Sequence, residues 1–429
     1  GSKFYWQADI EHARYILFVG ANLFDANYGP TNRTVRLTRN LENGFTKIGV
    51  IDPRFSKLAS KAETWLPVKP GEDAALAMAI IQWMLRNDRY DKSFLANANK
   101  AAALAGGESS GTNASLLVEI HDGVPGKLLR AAELGIAVPE KRKTADGKEY
   151  EERFLVTMVN GKTTKVDPND ENRPVYGDLF TDAVLSKKDG SRIAVKSGLQ
   201  LLKEEAERRS FEEWCEIAGV KPKDVIHVAD RLTSHGKQAA VDIHRGVAQH
   251  TNGFYNVLSW MTINMLLGNI DWQGGMSKGG TYKYDGSDGG KFNLKINPGK
   301  IKTCGISLIR HETPYEHTTL FDGYPARRNW YPLSSDIYQE IIPSIGDQYP
   351  YPIKALFLYM GAPTYSLPAG HTNIEVLADV EKLPLFFASD ILIGSTSMYA
   401  DYIFPDLSYL ERWEFQGTHP NMIHKVENI

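Results

Sequence analysis

Apolar and polar positions along the chain fall into one pattern that occurs twice, near opposite ends. The first occurrence is an apolar run, Tyr15-Ile16-Leu17-Phe18-Val19, closed by Gly20-Ala21-Asn22, then a second run, Ile48-Gly49-Val50-Ile51, closed by Asp52. The later occurrence is Ala355-Leu356-Phe357-Leu358-Tyr359, closed by Gly361-Ala362-Pro363, then Leu385-Phe386-Phe387-Ala388-Ser389, closed by Asp390. The step from aspartate to a following proline is the same in both, Asp52 to Pro67 and Asp390 to Pro405. Short apolar runs that end in a small-residue turn and an acid predict buried strands with a helix between them, half of a nucleotide-binding unit. Two such halves predict two related cofactor sites, or one long cofactor held from both sides. The predicted fold class is α/β: two doubly wound α/β domains related by a pseudo-two-fold, with a β-rich insertion.

Between the repeats the pattern changes several times. A segment from Arg33 to Asn43 precedes the second strand, and Pro70-Gly71-Glu72-Asp73 opens a strong helix from Ala74 to Arg86. Asp73 falls in its first turn, where an acid complements the positive helix end. Leu116 to Ile120 is strand-like. Residues 140–200 carry short β runs between Asp146-Gly147, Asn160-Gly161 and Asp189-Gly190, and Asn160-Gly161 is a hairpin signal. Residues 197–218 and 222–242 are expected to be helical, as is the apolar stretch Phe254 to Leu267, stopped by Gly268-Asn269. Residues 273–305 are expected to form a long Gly- and Lys-rich surface loop. The expected domains are residues 1–253, with the insertion at about 140–196, and residues 254–429.

Composition removes several function classes. The chain has 429 residues, and 49 basic against 52 acidic side chains leave a charge of −3, no electrostatic case for nucleic acid or an anionic membrane. The two cysteines, Cys215 and Cys304, are far apart, so this stretch alone builds no zinc or iron–sulfur cluster, although a disulfide between them is allowed. No apolar run approaches the roughly 20 residues of a membrane-spanning helix. Gly1-Ser2 reads as a cloning remnant.

Each candidate residue has a structural alternative. Gly20 and Gly361 let backbone N–H groups approach a phosphate, or simply end a strand; the full GxGxxG is absent from both copies. Asp52 and Asp390 can accept hydrogen bonds from a ribose or a guanine edge, or cap the next turn. Gly71 and Asp73 suit a base edge or an anion, or cap their helix. Arg245-Gly246-Val247-Ala248-Gln249-His250-Thr251-Asn252-Gly253 packs polar side chains between glycines just before an apolar helix, a density that points to a ligand, although His250 by itself fits a structural role equally well. Trp260, Met261 and Met265 sit at core spacing.

Five stretches, ILFVGANLFDANYGP (16–30), KIGVIDPRFSKLASKAETWLPVKPGEDAALAMAII (47–81), RGVAQHTNG (245–253), LLGNIDWQGG (266–275) and SMYADYIFPDLSYLERWE (397–414), resemble patterns of the dimethyl-sulfoxide-reductase type of molybdopterin oxidoreductase, in that order. RAAELGIAVPEKRK (130–143) and VNGKTTKVDP (159–168) are most similar to the tetrathionate reductase branch. The resemblance implies one molybdenum or tungsten between two molybdopterin guanine dinucleotides. Gly20, Ala21, Asn22, Asp52, Gly71 and Asp73 would hold one dinucleotide arm. Gly361, Ala362, Pro363, Asp390, Ser395, Thr396 and Ser397 would hold the other. Gln249, His250 and Thr251 would approach the pterin or the metal face, with Arg245 and His250 as substrate or pterin contacts. No metal ligand is assigned.

The resemblance further implies reduction of tetrathionate to thiosulfate. It implies two partners, an iron–sulfur electron-transfer subunit and one that serves as a membrane anchor. It also implies a place on the periplasmic or other extracytoplasmic face of the membrane. The alternatives are reduction of thiosulfate, polysulfide or arsenate, or a non-catalytic scaffold. The family's [4Fe-4S] cysteines, its metal ligand and its closing C-terminal barrel have no counterpart here, so the chain is expected to be the central part of a larger polypeptide and inactive alone.

Overall fold

The apolar runs of the first repeat become parallel strands. The structure, a computed structural model, describes residues 6–25, 32–143, 147, 149–250, 252–278, 341–348, 352–367, 369–408 and 410–411. The chain divides into two compact units, Gly1–Lys283 with Thr418–Ile429, and Tyr284–Gly417. In the first unit, strand β1 (Trp6–Ala8) is followed by β2 (Tyr15–Val19), helix α1 (Asn32–Glu42), β3 (Lys47–Ile51), a 3-10 turn at Ala59–Lys61 and β4 (Thr64–Leu66). Every residue of β2 is buried, as expected of a parallel strand covered on both faces. Helix α2 (Asp73–Arg86) follows the break at Pro70 and Gly71.

Two short helices, α3 (Lys92–Leu95) and α4 (Lys100–Ala105), are capped by the side chains of Asp91 and Asn99. They lead into eight strands: β5 (Leu117–His121), β6 (Val124–Leu128), β7 (Glu140–Lys143), β8 (Glu149–Glu152), β9 (Leu155–Val159), β10 (Lys162–Val166), β11 (Asp182–Ser186) and β12 (Arg192–Ser197). The β-rich insertion therefore starts at Leu117 and not near 140, because β5 and β6 join β12 and β11 in one antiparallel sheet. It has its own core of Leu117, Phe154, Val156, Ile193 and Val195. The expected Asn160-Gly161 hairpin joins β9 to β10, both residues have positive φ, and the Asp178 carboxylate accepts both turn N–H groups at 3.1 and 2.9 Å.

Helices α5 (Gly198–Ala206), α6 (Phe211–Ala218) and α7 (Pro222–Thr233) follow. The expected helix over 222–242 is corrected here: α7 stops at Thr233 and Ala239–Ile243 is a strand, β13. Four apolar residues and one aspartate over five positions do not separate strand from helix by periodicity, and pairing with β2 decides the case. After β13 come α8 (Arg245–Ala248), α9 (Gly253–Leu267), ended by Gly268 in the left-handed region, and β14 (Met276–Lys278), which pairs with β1.

The parallel sheet has the order β13-β2-β3-β4. Tyr15, Leu17 and Val19 face a core with α2, α7 and α9, while Ile16 and Phe18 face a second core with Leu37 of α1. Helices on both faces make the unit doubly wound. Helix α9, expected to open the second domain, packs in the first unit through Trp260, Ile263 and Leu266. The Asn264 amide bonds both the N–H and the carbonyl of Val241 at 2.9 Å, standing in for a neighbouring strand on β13.

In the second unit, α10 (Ile341–Gly346) precedes β15 (Leu356–Tyr359), α11 (Pro363–Ser366), α12 (Gly370–Leu377), β16 (Phe386–Asp390), a 3-10 turn at Ser397–Tyr399 and β17 (Tyr402–Pro405). Strands β15, β16 and β17 are parallel in that order. The ladder repeats the first unit: Val19 pairs with Ile51 and Ile51 with Leu66, as Tyr359 pairs with Ser389 and Ser389 with Phe404. This places Asp52 and Asp390 at the same point, directly after Ile51 and Ser389. It also shifts the turn by one residue. The counterpart of Gly20 (φ 55°) is Met360 (φ 54°), not Gly361. Their N–H groups donate to equivalent carbonyls, Gly20 to Ile51 and Met360 to Ser389. Among the described residues no helix is long and apolar enough to cross a membrane.

Candidate functional site

The order β13-β2-β3-β4 reverses direction at β2, since the chain goes outward to β3 and β4 and returns on the other side at β13. A crevice opens beyond the carboxyl ends of strands at such a point, where doubly wound proteins bind their ligands. Here the two strand ends are Val19-Gly20 and Ile243-His244-Arg245-Gly246. Gly246 donates its N–H to the Gly20 carbonyl at 3.1 Å. A Cβ on Gly20 would lie 2.8 Å from the Val247 nitrogen, and one on Gly246 would lie 2.6 Å from the Gly20 Cα. Backbone alone forms this junction, and side chains at either position would fill it.

Around it stand most of the residues expected from the sequence. Ala21 is buried, and Asn22 donates its amide N–H to Asp25 at 2.7 Å while its Oδ1 is buried with no hydrogen-bond partner. An orphaned acceptor of this kind fits a ligand N–H or O–H. Asp52 accepts the Arg54 N–H on Oδ1 at 2.8 Å, and its carbonyl accepts the Trp65 indole N–H. Part of the capping role is thus real. Arg54 and Lys57 pair with Asp25, whose carboxyl is held below its ordinary value first by the Lys57 hydrogen bond.

The Arg245–Gly253 segment meets the start of α2. His250 Nε2 lies 3.9 Å from Asp73 Oδ2, and a Cβ on Gly71 (φ 88°) would come 3.9 Å from His250 Nδ1. Asp73 is 5% exposed. Burial holds its carboxyl above the ordinary carboxylate range, and the Asp52 and Glu72 charges push the same way, while its own backbone hydrogen bond and His250 oppose. Gln249 ends α8, its N–H donating to the Arg245 carbonyl at 3.1 Å. Burial also pushes the His244 imidazole below its ordinary value. Thr251 lies outside the described residues, as do Cys304 and most of the expected loop over 273–305. Cys215 is a buried thiol pushed up to about 11 by burial, far from the reactive range.

In the second unit, Gly361 and Ala362 follow Met360, and Pro363 opens α11. Thr364 donates its hydroxyl to the Ser395 carbonyl at 2.9 Å, and its N–H to the Thr396 hydroxyl at 3.1 Å. Ser397 donates to Asp390 Oδ2 at 2.8 Å and accepts the Gly394 N–H at 2.7 Å. Thr396 and the Ser395 carbonyl are therefore joined to the segment after β15, Asp390 and Ser397 are joined to each other, and the Ser395 side chain is exposed. Among the described residues no group of three or more His, Cys, Asp or Glu side chains is placed to hold a metal ion.

Sequence reasoning missed Asn256, and it placed Gly246 and Asn252 only within the polar segment without a role of their own. Asn252 donates to the Gly71 carbonyl at 3.0 Å, and Asn256 accepts the Ala74 N–H at 3.2 Å and donates to the Val247 carbonyl at 3.2 Å. The available signal for Asn256 was an amide side chain among the mostly apolar positions of α9.

A doubly wound sheet with a glycine-floored crevice at its strand reversal is a nucleotide-binding α/β architecture. The profile of the molybdopterin oxidoreductases matches residues 3–427, and the chain belongs to that family. It is 44% identical over 425 residues to a selenate reductase chain of Mesobacillus selenatarsenatis, covering 98% of this chain and 39% of that protein. It is 36% identical over 421 residues to a tetrathionate reductase chain of Salmonella typhimurium, covering 95% of this chain and 40% of that protein. A solved structure, acetylene hydratase from Pelobacter acetylenicus, matches in fold with a TM-score of 0.55 at 16% identity, covering 95% of this chain and 43% of the other. The chain spans about two fifths of the length of these curated relatives.

Proposed function

We propose that this chain is the pterin-cofactor-binding core of a catalytic subunit that reduces an oxyanion of sulfur or selenium. The observation that carries the reading is the repeated strand end: the same turn geometry and the same aspartate recur in both units, as a cofactor with two guanine dinucleotide arms requires. The first crevice fits one arm. Its floor is bare backbone at Gly20 and Gly246, the Asn22 carbonyl oxygen lacks a partner, and Asp52 and Asp73 offer carboxylates where a ribose or a guanine edge could reach. The turn Met360–Pro363 with Asp390, Thr396 and Ser397 fits the second. When bound, the cofactor's molybdenum or tungsten would supply the two-electron redox chemistry.

The chain's own contribution is placement. Asp52 and Asp390 orient the nucleoside ends, and the polar segment from Arg245 to His250 borders the crevice. The cationic Arg245 would favour approach of a dianionic substrate. Two substrates follow from the relatives. Tetrathionate would take two electrons, break its central sulfur–sulfur bond and leave two thiosulfates. Selenate would take two electrons and two protons and leave selenite and water. Electrons would come from an iron–sulfur partner subunit, with a membrane-anchor subunit holding the complex on the extracytoplasmic face.

The test is anaerobic purification of the full complex, with metal analysis, guanine nucleotide released by acid and viologen-linked reduction of tetrathionate, selenate, thiosulfate and arsenate. Two guanine nucleotides per metal, with turnover of tetrathionate or selenate, is the expected result. Absence of both metal and guanine nucleotide would remove the reading and favour a scaffold.

A further inference from the structure

Helix α2 opens without a cap of its own, since Glu72 at its N-cap position makes no side-chain capping bond. The orphan N–H of Ala74 is taken instead by the Asn256 side chain, 182 residues further along the chain. The same amide donates to the Val247 carbonyl at 3.2 Å and to Asn252 Oδ1 at 3.3 Å, and Asn252 in turn holds the Gly71 carbonyl. Asn256 is fully buried. One side chain therefore caps the start of α2 and the end of α8 together. The first carries Gly71 and Asp73; the second leads into Gln249 and His250.

We propose that Asn256, assisted by Asn252, is a positioning residue that fixes the spacing between the two walls of the first crevice, and thereby the grip on a guanine nucleotide. The inference rests on the cofactor reading above. A leucine here would leave the Ala74 N–H and the Val247 carbonyl without this partner. What the amide adds is directional. Its acceptor faces α2, and its donors face the α8 end and Asn252, so neither wall can slide without breaking a buried bond. Asp73 and His250 meet across that joint at 3.9 Å.

The groups facing Asp73 are His250, Asp52 and Glu72. Ionisation of Asp73 should therefore register in the ring signals of His250, provided the joint is intact.

The experiment compares the native chain with Asn256→Leu, Asn256→Asp and, as a matched control, Asn264→Leu, which removes an equally buried amide of the same helix from β13. GDP is the binding probe. Histidine-selective NMR of the ligand-free chain across pH is the second readout, and urea midpoints report stability. Asn256→Leu is expected to weaken GDP at least about tenfold, the loss of roughly one buried hydrogen bond, and to erase the Asp73 inflection from the His250 signal. Asn256→Asp, which keeps the acceptor for Ala74, should keep the α2 cap and lose the α8 side. Asn264→Leu should lose stability and leave both readouts in place. Equal GDP loss in Asn256→Leu and Asn264→Leu at equal stability, or persistence of the Asp73 inflection in the His250 signal of Asn256→Leu, would overturn the proposal. If Asn256→Leu does not fold, Asn256→Asp decides by the same readouts. Failure of GDP to bind the native chain would count against the cofactor reading alone, and the Asp73 inflection in the His250 signal would still decide the role of Asn256.

Discussion

Gly20 and Gly246 touch through their backbones: the Gly246 N–H donates to the Gly20 carbonyl at 3.1 Å, and a Cβ on Gly246 would stand 2.6 Å from both the Gly20 Cα and its carbonyl oxygen. This contact joins the ends of the two strands that flank the crevice. Relief requires backbone movement, because no flexible side-chain end is there to give way.

Gly246→Ala is accordingly expected to cost about 1–3 kcal/mol, the usual range for overpacking, and to abolish GDP binding. Gly44 is the control. It has φ 72° and open space around a built Cβ, so Gly44→Ala meets backbone strain alone and should leave GDP affinity unchanged. Urea midpoints and calorimetric titration check both. Native-like nucleotide binding by Gly246→Ala would show that the junction does not shape the crevice.

Met360 holds the left-handed conformation that Gly20 holds in the first unit. A side chain there carries a strain of roughly 1–2 kcal/mol, partly offset by the greater entropy loss of a glycine. Met360→Gly should stabilise the second unit by up to about 1 kcal/mol, read as a higher denaturation midpoint. A lower midpoint would mean that the Met360 side chain contributes packing that outweighs its strain.

Asp52→Ala and Asp390→Ala are expected each to loosen one guanine dinucleotide by about 1.5–3 kcal/mol, or roughly one to two orders of magnitude. Because Ser397 donates to Asp390 at 2.8 Å, Ser397→Ala should reproduce part of the Asp390 effect. Cofactor content set against thermal stability is the measurement. Full cofactor content with a large loss of stability would return both acids to a turn-capping role.

Asp73 yields a pH dependence of definite sign. Its carboxyl lies above its ordinary value of 3.8 in the fold, chiefly through burial, so the folded chain holds the proton more tightly than the unfolded chain. Stability of the ligand-free chain should then fall as pH rises above 3.8. Asp73→Asn should be more stable than the native chain near neutrality and equal to it in acid, below the unfolded value. Equal stability at both pH values would show that the carboxyl is not penalised by its surroundings.

Much of this arrangement is legible in the residues alone. The apolar runs at Tyr15–Val19 and Ile48–Ile51 are strands because nothing polar interrupts them, and Asp52 after β3 and Asp390 at the end of β16 stand at the same point of their ladders. Asn160-Gly161 announces its hairpin through the conformations these residues tolerate. The run Ala239–Ile243 is not legible, since four apolar residues and Asp242 suit a helix as well as a strand. The shifted turn is not legible either: glycine at 361 invites a match with Gly20, but the ladder puts Met360 in the strained position.

The sequence by itself determined the local elements and the repeated strand–turn–acid order, because strand pattern, glycine turns and helix starts are set by neighbouring residues. Only the tertiary structure decided that β13 pairs with β2, that Gly246 meets Gly20, that α9 belongs to the first unit, and that Asn256 caps a helix 182 residues away. Those features depend on which groups meet once distant segments pack, and the local pattern of a single sequence carries no measure of that distance.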